Sequence, residues 1–180
     1  MFDLITYDNN GRPRISVVVE NKNPTLSVFV AQNGIPPTTN YATRDIRGIF
    51  PVLDFDNTTS ESIYFVGLMP QQYQNNGITA HLFFTSDATS GDVDWVISFD
   101  RLTSSDLDID SNSFGDINSS DNNNSPSTSG HIVVATWTIA TGSAMDNVVA
   151  GDMFMLKLTR DIADTAAGDA NFLALELRGQ

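Results

Sequence analysis

The sequence contains no cysteine. Disulfides, thiolate-bound zinc, iron–sulfur clusters and thiol catalysis are therefore excluded. No apolar run approaches the roughly 18 residues of a membrane-spanning helix, so no membrane partner is expected. The opening residues MFDLITYDNNGRPR lack a basic flank followed by an apolar core, so no signal peptide is expected and synthesis in a cytoplasm is. Lysine and glutamate are scarce. The only lysines are Lys22 and Lys157, and the only glutamates are Glu20, Glu61 and Glu176. A helical protein of 180 residues would use both heavily. Against those three glutamates stand 19 aspartates, and aspartate competes with the backbone for hydrogen bonds, which suits turns and caps. The composition points to an all-β chain.

Positive charge is also short. Nine Lys+Arg face 22 Asp+Glu, a net of −13. With no cluster of basic residues to neutralise phosphates, nucleic acid is not an expected partner. The charge is uneven: residues 1–50 carry a net +1 and residues 51–180 a net −14. This asymmetry, with Asn33-Gly34 as a turn and Ile35-Pro36-Pro37-Thr38-Thr39-Asn40 as an extended stretch, predicts three parts. They are an N-terminal arm or hairpin at 1–34, a linker at 35–50 and a β-domain at 51–180. In the arm, Arg14–Glu20 and Thr25–Ala31 are β-rich runs flanking Asn21-Lys22-Asn23-Pro24, a hairpin signal. Two strands alone are marginal in water. They must either extend the main sheet or dock elsewhere, and for docking the candidate residues are Arg12, Arg14, Ile15, Val17, Val19, Leu26, Val28 and Val30.

After residue 50 apolar and polar residues alternate with period two. Asp92–Asp100 is the clearest case, with Val93, Trp95, Ile97 and Phe99 on one face and Asp92, Asp94, Ser98 and Asp100 on the other. Similar runs at 52–55, 63–68, 78–85, 132–139, 154–159 and 172–178 bring the count to seven, with an eighth near Phe114–Ile117. In the last run, Leu173, Leu175 and Leu177 form one face. Such strands, separated by turns such as Asn75-Asn76-Gly77 and Ser90-Gly91, predict an antiparallel β-sandwich or jelly roll wetted on its outer faces. The one helical hint is Ser143–Val149. The stretch 102–130 is a long polar loop without a single hydrophobe between Ser119 and Ser129; loops of this length are usually functional or disordered.

Candidate chemistry is thin. Asp106, Asp108 and Asp110 are the candidate metal ligands, but neither register supplies the Gly and Glu of an EF-hand loop, so no metal or other cofactor is expected. The pairs Asp54/Asp56 and Asp92/Asp94 stand about 7 Å apart by strand rise, near the carboxylate separation of glycosidases. Nothing around them builds a pocket, and no catalytic residue is assigned. His81 and His131 have no ligand spacing. Trp95 and Trp137 could stack on a sugar ring or pack in a core, and both lie on the heavier face of their strands.

Four stretches carry a resemblance: Phe50-Pro51-Val52-Leu53-Asp54-Phe55-Asp56, Met69-Pro70-Gln71-Gln72-Tyr73, Asp92–Arg101 and Ala150–Asp161, followed by Asp164-Thr165 and Gly168-Asp169-Ala170. Over about residues 50–178 the chain resembles a β-sandwich domain of tailed-bacteriophage virion proteins. That resemblance implies a non-enzymatic structural protein of the virion, first a capsid decoration (cement) protein bound to the major capsid protein. It also implies self-association, as a homotrimer or a homodimer. The alternative is a tail- or fibre-associated recognition module that binds host glycans, for which exposed aromatic residues are expected.

Overall fold

The computed structural model describes the backbone of residues 4–7 and 13–16 and all of residues 23–102 and 113–180. Among these residues twelve strands form: β1 (Leu4–Tyr7), β2 (Pro13–Ser16), β3 (Thr25–Val30), β4 (Thr43–Arg47), β5 (Phe50–Phe55), β6 (Ser62–Leu68), β7 (Ile78–Ser86), β8 (Asp92–Leu102), β9 (Asn118–Asn124), β10 (Val133–Ile139), β11 (Met153–Asp161) and β12 (Ala170–Gly179). One antiparallel sheet runs β10-β7-β12-β5-β4, with β3 also on β12; a second runs β6-β11-β8-β9. The two form the all-β sandwich that the alternation predicts. Among the described residues no helix is long and apolar enough to cross a membrane.

The inner faces carry the core. Leu82, Phe84, Phe172, Leu175 and Phe55 from the first sheet meet Phe65, Trp95, Ile97, Phe99, Phe154 and Leu156 from the second, and all are buried. Aromatic pairs bridge the layers. Trp95 stands edge-on to Phe55 with ring centres 5.1 Å apart; Phe29 meets Phe65 at 5.3 Å, and Phe65 meets Phe172 at 5.5 Å. Each such contact contributes about 0.5–1.5 kcal/mol beyond area burial. Trp95 is thus a core residue, and Trp137 packs half-buried at the core's margin.

Several expectations need correction. β2 pairs with β1, not with β3, and β3 pairs with β12 inside the main sheet. The division at residue 34 therefore does not separate an arm from the sandwich. Leu26 and Phe29 enter the core, whose inner surface needs a neighbour for the C-terminal half of β12. Residues 35–50 are not simply a linker. They run along the second sheet, where Ile35 bridges Tyr64 and Tyr41 bridges Ser62, and then form β4. The eighth strand is Asn118–Asn124, inside the stretch expected to be a loop. The helical hint is one 3-10 turn, Gly142–Met145, ended by left-handed Asp146 (φ 50°). In β12 the register shifts between Phe172 and Ala174. Leu173 is the extra residue of a bulge, so Phe172, not Leu173, shares the inner face with Leu175 and Leu177.

Candidate functional site

The site begins with one proline. β5 pairs with β12 through Leu53↔Phe172 and Phe55↔Ala170, and no further. The next residue of β5 that would face β12 is Pro51, which has no N–H to donate. β5 therefore departs, and β3 takes over the same edge of β12, with Val30 opposite Ala174. The bulge at Leu173 marks the handover. The freed ends of β4 and β5 form a hairpin closed by Gly48 and Ile49, with Arg47 opposite Phe50. Gly48 has φ +67° and Ile49 does not share it, which fits a type II′ two-residue turn and explains the glycine.

Arg47 ties the hairpin down across the first sheet. Its guanidinium donates to the Asn171 amide oxygen, to Ser129 Oγ at 2.6 Å and to the Ser86 carbonyl at 3.4 Å, and it pairs with Asp87 at 2.9 Å. Asn171 in turn donates to Asp54 Oδ1 at 2.5 Å. Arg44 holds the other side by donating to the Gly34 carbonyl at 2.9 Å.

Between this hairpin and the 3-10 turn Ala31–Asn33 lies an open notch of about 510 Å³ lined by Ala31, Gln32, Arg44, Asp45, Ile46, Pro51 and Val52. A smaller cavity of about 230 Å³, lined by Pro36, Tyr41, Ala42, Thr43, Arg44 and Ile63, lies on the other side of Arg44. Arg44 lines both. Apolar walls with a few convergent polar groups are the usual makeup of a small-molecule site. Two exposed aromatics belong to these segments: Phe50 is 59% exposed and Tyr41 42%.

Acidic groups crowd the far side of the hairpin. The Asp54 carboxyl is pushed up to about 6, first by burial and then by Asp169, Asp87, Asp45 and Glu61. Burial also raises Glu61. Asp56 is held below the usual range by its bonds from Thr58. It lies past the end of β5 and accepts Thr58 N–H at 2.6 Å and Thr59 N–H at 2.8 Å as a turn cap. Asp54 and Asp56 are thus not a pair on one strand face. Asp92 and Asp94 do share the wet face of β8; Asp94 accepts the Asn122 N–H at 2.6 Å, a fastening for β9.

The other sequence candidates disperse. Asp106, Asp108 and Asp110 lie outside the described residues, as do Arg12, Val17 and Val19. Arg14 and Ile15 sit in β2 opposite Thr6 and Ile5. Leu26 is buried, while Val28 and Val30 are exposed on the outer face of the first sheet. Beside them is a polar group: His81 meets Thr136 Oγ1 at 3.2 Å, and Arg178 donates to Glu176 at 2.7 Å. Among the described residues no three His, Cys, Asp or Glu side chains are grouped to hold a metal. Gln32, Arg44, Asp45 and Tyr41 carried no sequence motif. The one available signal was Pro51 in a strand-like run beside the Arg44–Arg47 charges.

No family profile matches the chain, and no curated protein matches it in sequence. Solved structures do match in fold. A family 35 carbohydrate-binding module from an environmental isolate superposes with a TM-score of 0.53 at 16% identity, covering 86% of this chain and 94% of that one. The CBM36-1 domain of a multidomain xylanase from the hindgut metagenome of Trinervitermes trinervoides gives a TM-score of 0.48 at 11% identity, covering 86% and 97%. The first likeness establishes a shared β-sandwich fold.

Proposed function

We propose that this chain is a non-catalytic glycan-recognition domain whose site is the notch beside the β4–β5 hairpin. The observation that carries the reading is an apolar-walled notch whose lining includes Gln32, Arg44 and Asp45, with a second cavity that also involves Arg44 and is lined by Tyr41. Sugars present hydroxyls in a ring plane and C–H groups on its faces. Amide, guanidinium and carboxylate groups pair with the former, and an aromatic or aliphatic wall packs on the latter. One solved structure of like fold is a carbohydrate-binding module, which supports the same class of ligand here. Of the acids that could have formed a catalytic pair, Asp56 is engaged as a turn cap, Asp94 fastens β9 and Asp54 accepts from Asn171, which favours binding over turnover.

A glycan array in calcium and in chelator, followed by calorimetry on the best ligand, tests this. Asp45→Ala and Tyr41→Ala are each expected to weaken binding about tenfold or more with unchanged melting, since a hydrogen bond to a charged group contributes about 1.5–3 kcal/mol. Binding untouched by both, or none across the array, overturns the proposal.

A virion decoration role is the second reading. Its favouring observation is the outer face of the second sheet, where Val66, Leu68 and Met153 are exposed around the paired positions Leu68↔Met153↔Leu102. An apolar patch of this kind marks an interaction surface. Co-sedimentation with assembled capsid shells, abolished by Leu68→Lys, is its test.

A further inference from the structure

The β4 edge carries a second pattern, read from backbone pairing rather than from the notch, although Asp45 and Ile46 also line that notch. In a two-residue hairpin the closing pair exchanges both backbone bonds, and the next pair exchanges none. Arg47 and Phe50 are the closing pair, so Ile46 and Pro51 are the open one. Pro51 fits there because no donor is needed. The Ile46 N–H and C=O consequently point away from β5, toward the free edge of the sheet. The N–H is taken up locally by Asp45 Oδ1 at 2.7 Å. The Ile46 side chain is 67% exposed, and at the tip Ile49 is 85% exposed.

The residues around Ile46 are self-complementary. When β4 is laid antiparallel against a second β4 with Ile46 at the two-fold axis, Ile46 faces the partner's Ile46. Asp45 then stands opposite Arg47 of the partner subunit, and Arg47 opposite the partner's Asp45. Thr43 stands opposite the partner's Ile49. The neighbouring registers on the same face set Asp45 against Asp45 or Arg44 against Arg44, so like charges select this one. β4 also carries two arginines, Arg44 and Arg47, against the single acid Asp45, on a chain of net −13, and that local excess of positive charge favours the approach of a second copy at this edge.

We infer that the chain forms a two-fold dimer by edge-to-edge pairing of β4 about Ile46. Pairing exchanges the Asp45–Ile46 contact for two N–H···O=C bonds across the axis, and it frees each Asp45 carboxylate to approach a guanidinium of the other subunit, where Arg47 keeps its bond to Asp87. The interface is isologous, as a closed dimer requires, and it joins two six-stranded sheets into one.

Sedimentation across a wide concentration range tests this without any glycan present. The wild type and Ile46→Val are expected to move from monomer to dimer as concentration rises, and high salt is expected to weaken the dimer by screening the Asp45–Arg47 pairs. Ile46→Pro removes the central donor but no bond to β5, and is expected to remain monomeric with an unchanged circular-dichroism spectrum. Should that variant fail to fold, Asp45→Arg sets like charges face to face and is expected to lower dimer affinity at least tenfold. A wild type that stays monomeric, a trimer, or an Ile46→Pro dimer as tight as the wild type would each overturn the inference.

Discussion

Arg160 and Asp164 form an ion pair sealed from solvent, with Nε 2.8 Å from Oδ2. The same guanidinium donates to the carbonyls of Phe55 at 3.1 Å, Gly168 at 3.0 Å and Ala166 at 3.2 Å. It thereby clips the loop after β11 to the end of β5, the strand that begins at the notch. Removing one partner strands a buried charge. Asp164→Ala is expected to cost about 3–5 kcal/mol in urea unfolding. Replacing both, as Arg160→Met with Asp164→Leu, should cost less than Asp164→Ala alone, although three carbonyls then lose their donor. Equal losses in the single and double variants would show that the pair itself is not what stabilises the loop.

Gly67 faces inward on β6, where a Cβ would clash with the ring of Phe154. Gly67 and Phe154 stand directly opposite each other in the β6–β11 ladder, so Gly67→Ala forces Phe154 out of its position between Phe29 and Phe99. Overpacking of this kind costs about 1–3 kcal/mol. Pairing it with Phe154→Leu should recover part of that loss, whereas Phe154→Leu alone should destabilise. The four-corner cycle is read from denaturant midpoints, and simple additivity of the two changes would contradict the contact.

The central strands were legible because each buries one face. Val93, Trp95, Ile97 and Phe99 alternate without interruption, and all four are core residues. β9 was not legible, because it is an edge strand that pairs only with β8 and buries little besides Ser120. Its bonds come from amide side chains: Asn118 Nδ2 donates to the Ala144 carbonyl at 2.7 Å and Asn123 Nδ2 to the Val93 carbonyl at 2.9 Å. Asparagine reads as a loop residue because it competes with the backbone, and here that competition builds the edge. The notch was hidden for a different reason. It arises where β3 and β5 meet on β12, far along the chain from both, and sequence pattern fixes strands far better than it fixes their long-range order. Pro51 was visible, but its consequence depended on knowing that β12 was the neighbour.

Arg47 ties the hairpin to the β7–β10 side of the sheet. Its planar fork serves Asn171, Ser129 and Asp87 at once, and a lysine cannot reproduce that geometry. Arg47→Lys is expected to cost about 1 kcal/mol and Arg47→Ala about 1–3 kcal/mol. Both should speed hydrogen exchange at Asp45 and Val52, whose amides bridge β4 and β5, while leaving β8 and β11 protected. Uniform acceleration over the whole sandwich would argue against a local tether.

Asp54 sets a pH dependence whose sign can be worked out. Its carboxyl ordinarily titrates near 3.8, and in the fold it titrates near 6 because burial and four acidic neighbours disfavour the anion. The folded state therefore holds this proton more tightly than the unfolded chain. Below 3.8 both states are protonated and Asp54 costs nothing; between 3.8 and 6 the unfolded chain ionises first and stability falls; above 6 the full penalty is in place. Asp54→Asn keeps an oxygen for the Asn171 amide and removes the charge. It is expected to stabilise the protein above pH 6 by about 1–2 kcal/mol, after allowance for solvent screening at a half-buried site. The gain should shrink to nothing in acid. Melting temperatures of the two proteins measured in parallel give the difference directly, and a gain independent of pH would mean that shape, not charge, had been relieved.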